Sequence, residues 1–477
     1  MLRIVRLSAR HEITRALRLR TFRVGLLVMS ALLVAAFVLE AERLALDARE
    51  REALTQHERD QWEKQPDRHP HRMAHYGLYA FRPPSPLGFF DAGVEPFTGS
   101  AVFLEPHRRN PPNFSAASQA SELVRFGRPT AAFVLQLLLP LLIFCATFDS
   151  VAGEREAGTY RLALAQGVSA RALLLGKVLG HVALAFAWVA PALVVTVGIQ
   201  LVRGALAPSA DTFLRLGALT LTYGAYLALC AALGVAVSAL HRRGHGALLT
   251  LLAVWIVGWV VVPRAAGELA ARLRPVPSRA ALELDIARAS RAQSDHGSDG
   301  PAAMALQRQL FAKHGVSRVE DLPMNVKGLL MQQGEDATTA LYDTHYGALR
   351  AAQERQDALV NAFGVISPPL ALRGVSMALA GSGPDAFSAF LAQAEHYRTY
   401  FIAELNRLQA QLVRYDEDRT SRVGHAHFAE IRPFAYARAP LDVASLGALP
   451  AVLAPVVWLL VLGGLVFRGS GREEERA

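Results

Sequence analysis

The chain has 477 residues, of which 52% are hydrophobic and 19% are charged, whereas soluble proteins carry roughly 25% charged residues. This composition predicts a membrane protein and argues against an ordinary soluble domain. The formal net charge of +9 is compatible with nucleic-acid binding, but the basic residues are not spread as a nucleic-acid surface. Seven arginines and one acid, Glu12, lie within residues 1–23, directly before an apolar run, and this placement is an orientation signal for a membrane protein.

Residues 1–23 predict an amphipathic helix that lies in the inner membrane interface. An apolar stripe recurs at helical spacing: Leu2, Val5, Ala9, Ile13 and Leu17. Charged side chains lie beside this stripe: Arg3, Arg6, Arg10 and Glu12. A basic amphipathic helix of this kind binds a membrane surface. A simple basic anchor is the alternative interpretation.

Apolar stretches predict six transmembrane helices, because about 20 apolar residues cross the hydrocarbon layer and unpaired backbone groups cannot be left in lipid. The expected spans are residues 24–39, 129–148, 178–202, 216–240, 244–263 and 443–467. The first is short, and Arg23 and Glu40 can reach the headgroups from its two ends. A cleaved signal peptide is the alternative, but no small-residue cleavage site follows Leu39. Cys145 and Cys230 lie inside apolar stretches and are interpreted as packing residues.

The arginine distribution predicts that both termini are cytoplasmic. The segments expected inside are residues 1–23, 149–177, 241–243 and 468–477. The short connection 203–215 is expected outside, with Arg215 at the outer headgroup level. Two long polar segments, residues 40–128 and 264–442, then fall on the same outer side. The predicted fold is therefore an all-α integral membrane protein with six transmembrane helices and a mainly helical extracytoplasmic domain.

The two outer segments differ in pattern. In 264–442 an apolar face recurs every three or four residues, typical of a long helix that packs against a partner: Tyr397, Phe401, Leu405, Leu408 and Leu412. Residues 341–363 suggest a second such helix, while 294–301 and 381–384 carry helix-breaking residues. Segment 40–128 has many prolines among aromatic residues. It is expected to be irregular or short-stranded and to pack against the later segment, because exposed aromatics would form a sticky patch.

Residues 148–177 carry the most specific motif, FDSVAGEREAGTYRLALAQGVSARALLLGK. An acidic pair precedes a Gly-Thr step, a leucine-rich turn, a Val-Ser element and a Gly-Lys step. The segment resembles the first intracellular loop of ABC-2 type permeases. The matching residues are Glu154, Glu156, Gly158, Thr159, Gly167, Val168, Ser169, Gly176 and Lys177. The departures are Tyr160, where the family often has leucine, and Ala170, which delays the arginine to Arg171.

In that family the loop forms a coupling helix that docks on the ATPase. The resemblance implies that a separate ABC ATPase subunit is engaged by Glu154, Arg155, Glu156, Gly158, Thr159, Tyr160, Arg161, Val168 and Arg171. Independently, a short amphipathic helix could bury an apolar knob made of Tyr160, Leu162 and Leu164 in a partner's groove. The alternative is an ordinary solvated loop that carries cytoplasmic arginines.

The outer segments carry a narrower resemblance. Residues 75–110 and 366–401 are similar to those of a subgroup of bacterial ABC permeases whose extracytoplasmic domain has no assigned function. The resemblance implies an inner-membrane permease that acts as an exporter and pairs with a second permease copy or paralogue. It is expected to contact membrane lipid and to bind no nucleic acid. A sensor or scaffold that transports nothing is the alternative from another class.

The sequence predicts no catalytic site and no cofactor in this chain. The phosphate-binding loop G-x-x-x-x-G-K-[ST] is missing, because Gly176-Lys177 is followed by Val178 and preceded by Arg171 where the first glycine belongs. ATP and Mg²⁺ are therefore expected on the partner. Histidines could bind Zn²⁺ or Cu²⁺, in one group of His69, His71 and His75 near Asp67 and in another of His425 and His427. Since most histidine-rich loops are solvated, no metal site is expected, nor is a proton relay through His181 alone.

Overall fold

The computed structural model describes residues 1–119, 130–293 and 300–441, together with Trp458, Leu460 and Gly464. The described chain is mostly helical, as the sequence predicts. Within it, five helices are long and apolar enough to cross a membrane. The sixth predicted span, 443–467, lies outside the described residues except for Trp458, Leu460 and Gly464. The predicted tail, 468–477, lies outside them entirely.

The N-terminal third contains long and short helices and a small sheet. Its helices are α1 (Leu2–Arg18), α2 (Arg20–Glu63), α3 (Pro70–Ala74) and α4 (Ala116–Gln119). Its strands are β1 (Leu78–Phe81), β2 (Ala101–Glu105) and β3 (Arg108–Arg109). These strands form an antiparallel sheet of order β1-β2-β3, in which Tyr79 pairs with Phe103 and Leu104 with Arg109.

The middle of the chain forms the remaining candidate spans and their connections. The elements are α5 (Ala131–Phe133), a π-helical turn at Val134–Leu138, α6 (Leu139–Thr147), α7 (Ala152–Glu156), α8 (Thr159–Ala165), α9 (Ala170–Val202), α10 (Ala210–Leu240), α11 (Gly244–Trp255), a second π-helical segment at Ile256–Val261, and α12 (Val262–Leu273). The following helices are α13 (Arg279–Gln293), α14 (Pro301–His314), α15 (Val326–Ala362), α16 (Pro368–Ala380), α17 (Pro384–Leu412) and α18 (His425–Ala429).

The helices extend beyond the apolar stretches that the sequence delimits. The first predicted span, 24–39, lies within α2, a continuous helix of 44 residues that is about 66 Å long at 1.5 Å per residue. The expectation of an irregular segment is therefore wrong for residues 40–63. These residues contain no glycine or proline and are rich in strong helix formers. In the same way α9 begins at Ala170 and α12 continues to Leu273.

We call residues 62–119 and 279–441 the distal domain, because α2 carries the chain from α1 to this part of the molecule. Its core confirms that the first polar segment packs against the second. The Trp62 ring lies 5.2 Å from that of Phe401, centroid to centroid, and Trp62 Nε1 donates a hydrogen bond of 2.9 Å to the Phe428 carbonyl. The stripe predicted on α17 is buried at Tyr397, Phe401, Leu405 and Leu408, whereas Leu412 is exposed.

A buried cation joins the distal domain to the membrane helices. Arg215, at the start of α10, was expected at the outer headgroup level on its charge alone, yet it is buried. Its guanidinium donates to the carbonyls of Ala378 and Leu379 at the end of α16, at 3.2 and 3.3 Å, and to that of Ala439 at 3.2 Å. The carboxylate of Asp211 lies 2.6 Å from Arg215 Nε. These contacts fix α16 to the start of α10.

Candidate functional site

The segment that carries the sequence motif folds as two short helices, α7 and α8, followed by the first turns of α9. The hydroxyl of Ser238 on α10 accepts hydrogen bonds of 3.0 Å from the backbone N–H groups of Val151 and Ala152, and so caps α7. Gly158 separates the two helices with φ 74°, and Gly167 follows α8 with φ 79°. Glycine adopts this left-handed conformation without a Cβ clash, so these residues permit the two tight turns.

Polar contacts fix α7 to the connection between α10 and α11. The guanidinium of Arg155 donates to the carbonyl of His241 at 3.1 Å and also to that of Ala239. The carboxylate of Glu156 accepts a hydrogen bond of 3.2 Å from the backbone N–H of Gly244. Two of the residues predicted to engage a partner are therefore also anchors within the chain.

The structure corrects the predicted role of Tyr160. Only 3% of this residue is exposed, and its ring packs in a small apolar cluster with Val151, Leu174 and Val235. Tyr160 therefore cannot be part of an apolar knob on the surface, because α8 turns this ring towards α9 and α10. Leu162, in contrast, is 58% exposed.

We call the outward face of this segment the α7–α8 surface. It consists of Glu156, Gly158, Thr159, Arg161 and Leu162, which are all exposed. Of the other predicted coupling residues, Arg171 is exposed on the first turn of α9, Val168 is half-buried, and Glu154 and Arg155 are partly covered. An exposed leucine beside an arginine and a carboxylate offers a partner both apolar area and charge.

A buried ionic cluster lies directly behind this surface. The ammonium of Lys177 lies 2.6 Å from Glu12 Oε1 and 2.7 Å from Glu154 Oε1. His181 Nε2 lies 3.4 Å from the other oxygen of Glu12. The side chains of Lys177 and Glu12 are each 1% exposed. Charged groups of α1, α7 and α9 therefore meet in a place where an unpaired charge would be costly.

The cluster keeps Glu12 ionised. Burial opposes ionisation of this carboxylate, but the neighbouring His181 ring and the Lys177 ammonium outweigh burial and lower the pKa of Glu12 from 4.5 to about 2. Because the pKa is lower in the folded chain, the resulting stabilisation is complete above about pH 4.5 and is lost as the pH falls towards 2. The ion pair is therefore intact throughout the physiological range.

Close packing of α1 on α9 brings Glu12 to Lys177. Gly176 and Gly180 face α1, where a Cβ on Gly176 would lie 2.6 Å from the Val5 carbonyl oxygen and a Cβ on Gly180 would lie 2.7 Å from that of Ala9. Small residues four apart let two helices approach closely in this way. The hydroxyl of Ser8 adds a hydrogen bond of 3.0 Å to the Leu173 carbonyl.

The face of α1 that is buried in the structure differs from the face predicted from the sequence. Sequence periodicity gave an apolar stripe that included Leu2 and Leu17, but these residues are 86% and 43% exposed. The face that α1 buries consists of Val5, Ser8, Glu12 and Ala16. Arg3, Arg6 and Arg10 are exposed, so they remain available for lipid headgroups.

The role of Lys177 in this cluster was not predicted from the sequence, in which Lys177 was noted only as a match to the family's intracellular loop and as part of an incomplete phosphate-binding loop. A signal was present, because Lys177 and His181 lie four residues apart and therefore on one face of α9. Their partner Glu12 is 165 residues away from Lys177 in sequence, so spacing alone could not identify it.

Residues 6–290 match the family described as ABC-2 family transporter protein. The chain belongs to this family. Residues 281–437 match a domain of unknown function, DUF3526, and no curated protein or solved structure matches the chain. The resemblance seen in the sequence is thus confirmed. The protein is a multi-pass membrane permease of an ABC transporter, and members of this family are non-catalytic membrane subunits that associate with an ABC ATPase.

Proposed function

We propose that this permease couples ATP hydrolysis on a separate subunit to export across the bacterial inner membrane, and that the ATPase docks on the α7–α8 surface. The observation that carries the proposal is the contrast between the two faces of this segment. Its outward face is exposed, while its inward face is held by α9, by α10 and by the residue that follows α10, through Glu154, Arg155 and Tyr160. A partner that displaces α7 and α8 must therefore displace the spans as well.

The long helix α2 provides a route from the membrane to the distal domain. Leu33 and Phe37 are buried among the membrane helices, and Trp62 is buried in the core of the distal domain. Because α2 is continuous between these positions, a tilt of its membrane part moves its distal end. We assign the distal domain to the extracytoplasmic side, where it would cap the translocation path or transfer force or cargo to a partner.

The proposal includes a second permease copy or a paralogue. Several apolar side chains of α9 are exposed in the described chain: Leu175, Leu179 and Ile199 are each 45% exposed. Val194 and Val195 are 68% and 59% exposed on this helix. Such faces suit lipid or a facing protomer, and a path between two protomers would lie along them.

Docking is tested by the substitution Leu162→Arg. A buried anchor at an interface typically contributes 2 kcal/mol or more, so the variant is expected to bind the ATPase roughly 30-fold more weakly. The measurement is recovery of a protein with a phosphate-binding loop by affinity purification of the tagged permease from membranes. The matched control is Leu412→Arg, at a leucine that is 47% exposed in the distal domain.

Unchanged recovery with Leu162→Arg would count against docking on this surface. Charge reversal at Glu154 is a poorer test, because a lysine there would face Lys177, whose ammonium lies 2.7 Å from Glu154 Oε1. Loss of binding could then result from misfolding. Leu162 avoids this ambiguity because its side chain is exposed.

Orientation is tested by reporter fusions. A reporter that is active only outside the cytoplasm is expected to be active after residue 60 or residue 300, and inactive after Gly167. The reason is the bias of arginine towards the cytoplasmic side of membrane proteins. An inverted pattern of activity would contradict the proposed topology and would move the α7–α8 surface out of reach of a cytoplasmic ATPase.

A further inference from the structure

Three imidazoles converge in the distal domain. His71 lies in α3 and His75 follows one helical turn later, so both lie on one face. His107 lies in the turn between β2 and β3. The ring centroids are 4.7 Å apart for His71 and His75, 5.4 Å for His75 and His107, and 5.9 Å for His71 and His107. One ring nitrogen of each residue lies within 4.8 Å of those of the other two.

A buried carboxylate orients His107. Glu335 Oε1 lies 2.5 Å from His107 Nδ1 and accepts a hydrogen bond of 2.8 Å from its backbone N–H. Arg398, whose side chain is 1% exposed, holds the other oxygen of Glu335 at 3.2 Å. With Nδ1 engaged, Nε2 of His107 is the nitrogen left for a ligand. Carboxylates orient metal-binding histidines in this manner.

The backbone at His107 is a second unusual feature. Its φ is 64°, in the left-handed region that residues other than glycine seldom occupy. Such conformations persist where the surrounding structure enforces them, and they cluster at functional sites. The contacts of Glu335 with both the backbone and the ring of His107 supply that enforcement.

The other histidines that the sequence analysis considered as metal ligands make contacts outside this cluster. His69 caps α3, because its Nδ1 accepts a hydrogen bond of 3.2 Å from the backbone N–H of His71. His425 lies beside Asp67, with 3.6 Å between its Nδ1 and a carboxylate oxygen. The structure therefore replaces the sequence set of His69, His71 and His75 with a set in which His107 takes the place of His69.

We propose that His71, His75 and His107 form a binding site for a divalent transition metal, with Zn²⁺ as the best chemical match. Three imidazole ligands with a position left for water or another ligand are typical of open zinc sites. Zinc–nitrogen distances of about 2.0–2.1 Å place the nitrogens of a tetrahedral site about 3.3 Å apart. Rotation of the ring of His75, which is exposed, can bring its nitrogen towards those of His71 and His107.

A metal held by all three histidines would join α3 to the β2–β3 turn and, through Glu335, to α15, and would thus brace the two segments of the distal domain against each other.

The test is zinc binding to the full chain, purified with a tag that contains no histidine and stripped of metal with a chelator. Isothermal titration with ZnCl₂ is expected to show one site per chain, and Co²⁺ is expected to give the visible absorption of a nitrogen-ligated ion. His107→Asn and His75→Gln are expected to weaken zinc binding by about 100-fold. Asparagine is chosen at position 107 because it tolerates positive φ, and His427→Gln, at an exposed histidine outside the cluster, is the matched control.

Thermal unfolding without metal shows whether each variant is folded, and the exposed position of His75 provides a second variant if His107→Asn fails to fold. Zinc should raise the unfolding temperature of the wild-type chain and of His427→Gln, but not that of His75→Gln. The proposal is overturned if the wild-type chain binds no zinc at micromolar concentrations, or if His75→Gln binds it as tightly as the wild type does.

Discussion

Replacing Lys177 by methionine is expected to destabilise the permease by about 3–5 kcal/mol, the range found when one partner of a buried ion pair is removed. The ammonium of Lys177 contacts Glu12 at 2.6 Å and Glu154 at 2.7 Å. Methionine would leave the carboxylate of Glu12, which is 1% exposed, without its closest cation; the His181 ring and the Arg15 guanidinium, each 3.4 Å from Glu12 Oε2, would remain. Thermal unfolding in detergent micelles measures the effect.

The control is a lysine-to-methionine substitution in an exposed ion pair. Lys64 lies 3.8 Å from Asp60, with side chains 73% and 58% exposed, so Lys64→Met should change stability by at most about 1 kcal/mol. The double variant Glu12→Gln with Lys177→Met removes both central charges and should recover much of the loss, because a neutral replacement of a buried pair is often tolerated. Equal unfolding temperatures for Lys177→Met and the wild type would show that the cluster contributes little to stability.

A break in the helix α2 is expected to stop movements of the membrane helices from reaching the distal domain. Arg49 is exposed between the membrane part of α2 and its distal end. Proline at this position removes a backbone hydrogen bond and clashes with the preceding turn, at a cost of about 3 kcal/mol or more to helix continuity. We expect Arg49→Pro to abolish the ATP-dependent movement of the distal domain while leaving ATPase association intact. Arg49→Ala, which keeps the helix, should behave as the wild type does.

Spin labels on both sides of the break provide the measurement. Cysteines at Leu17 in α1 and Leu412 in α17, which are 43% and 47% exposed, would carry the labels after Cys145 and Cys230 are replaced by alanine. In the complex with the ATPase, the distance distribution should change on addition of ATP for Arg49→Ala and stay constant for Arg49→Pro. The same ATP response in both variants would mean that α2 does not transmit the motion.

A point substitution is preferable to removal of the distal domain. Deleting residues 280–430 would take away α17 and leave Trp62, Met73 and Ala80, which pack against Phe390 and Phe401, without partners. Loss of function after such a deletion could result from an exposed apolar cluster. The proline variant leaves that core complete and changes only the connection.

Five apolar helices and the long distal helices could be predicted from the sequence because each depends on a local pattern. A run of apolar residues identifies α10, and a stripe at helical spacing identifies α17. The extension of α2 was not predicted because the predicted span ends at Leu39, directly before Glu40, the first acid after the apolar run. Charged side chains do not end a helix, and residues 40–63 contain no helix breaker.

The candidate sites depend on contacts between residues that are distant in sequence. Glu12 and Lys177 meet only because glycines at 176 and 180 let α1 approach α9. His107 joins His71 and His75 only because the small sheet brings its turn to α3. The burial of Tyr160 could not be predicted from the sequence either, because packing against α9 and α10 sets the direction of this side chain in the short helix α8.

A photo-crosslink from position 162 tests whether the ATPase docks on the α7–α8 surface. A benzophenone amino acid in place of Leu162 is expected to give, on irradiation of membranes, an adduct whose partner peptides come from a protein with a phosphate-binding loop. The same amino acid in place of Leu412 should give no such adduct. An adduct with that ATPase from position 412, and none from position 162, would contradict the account.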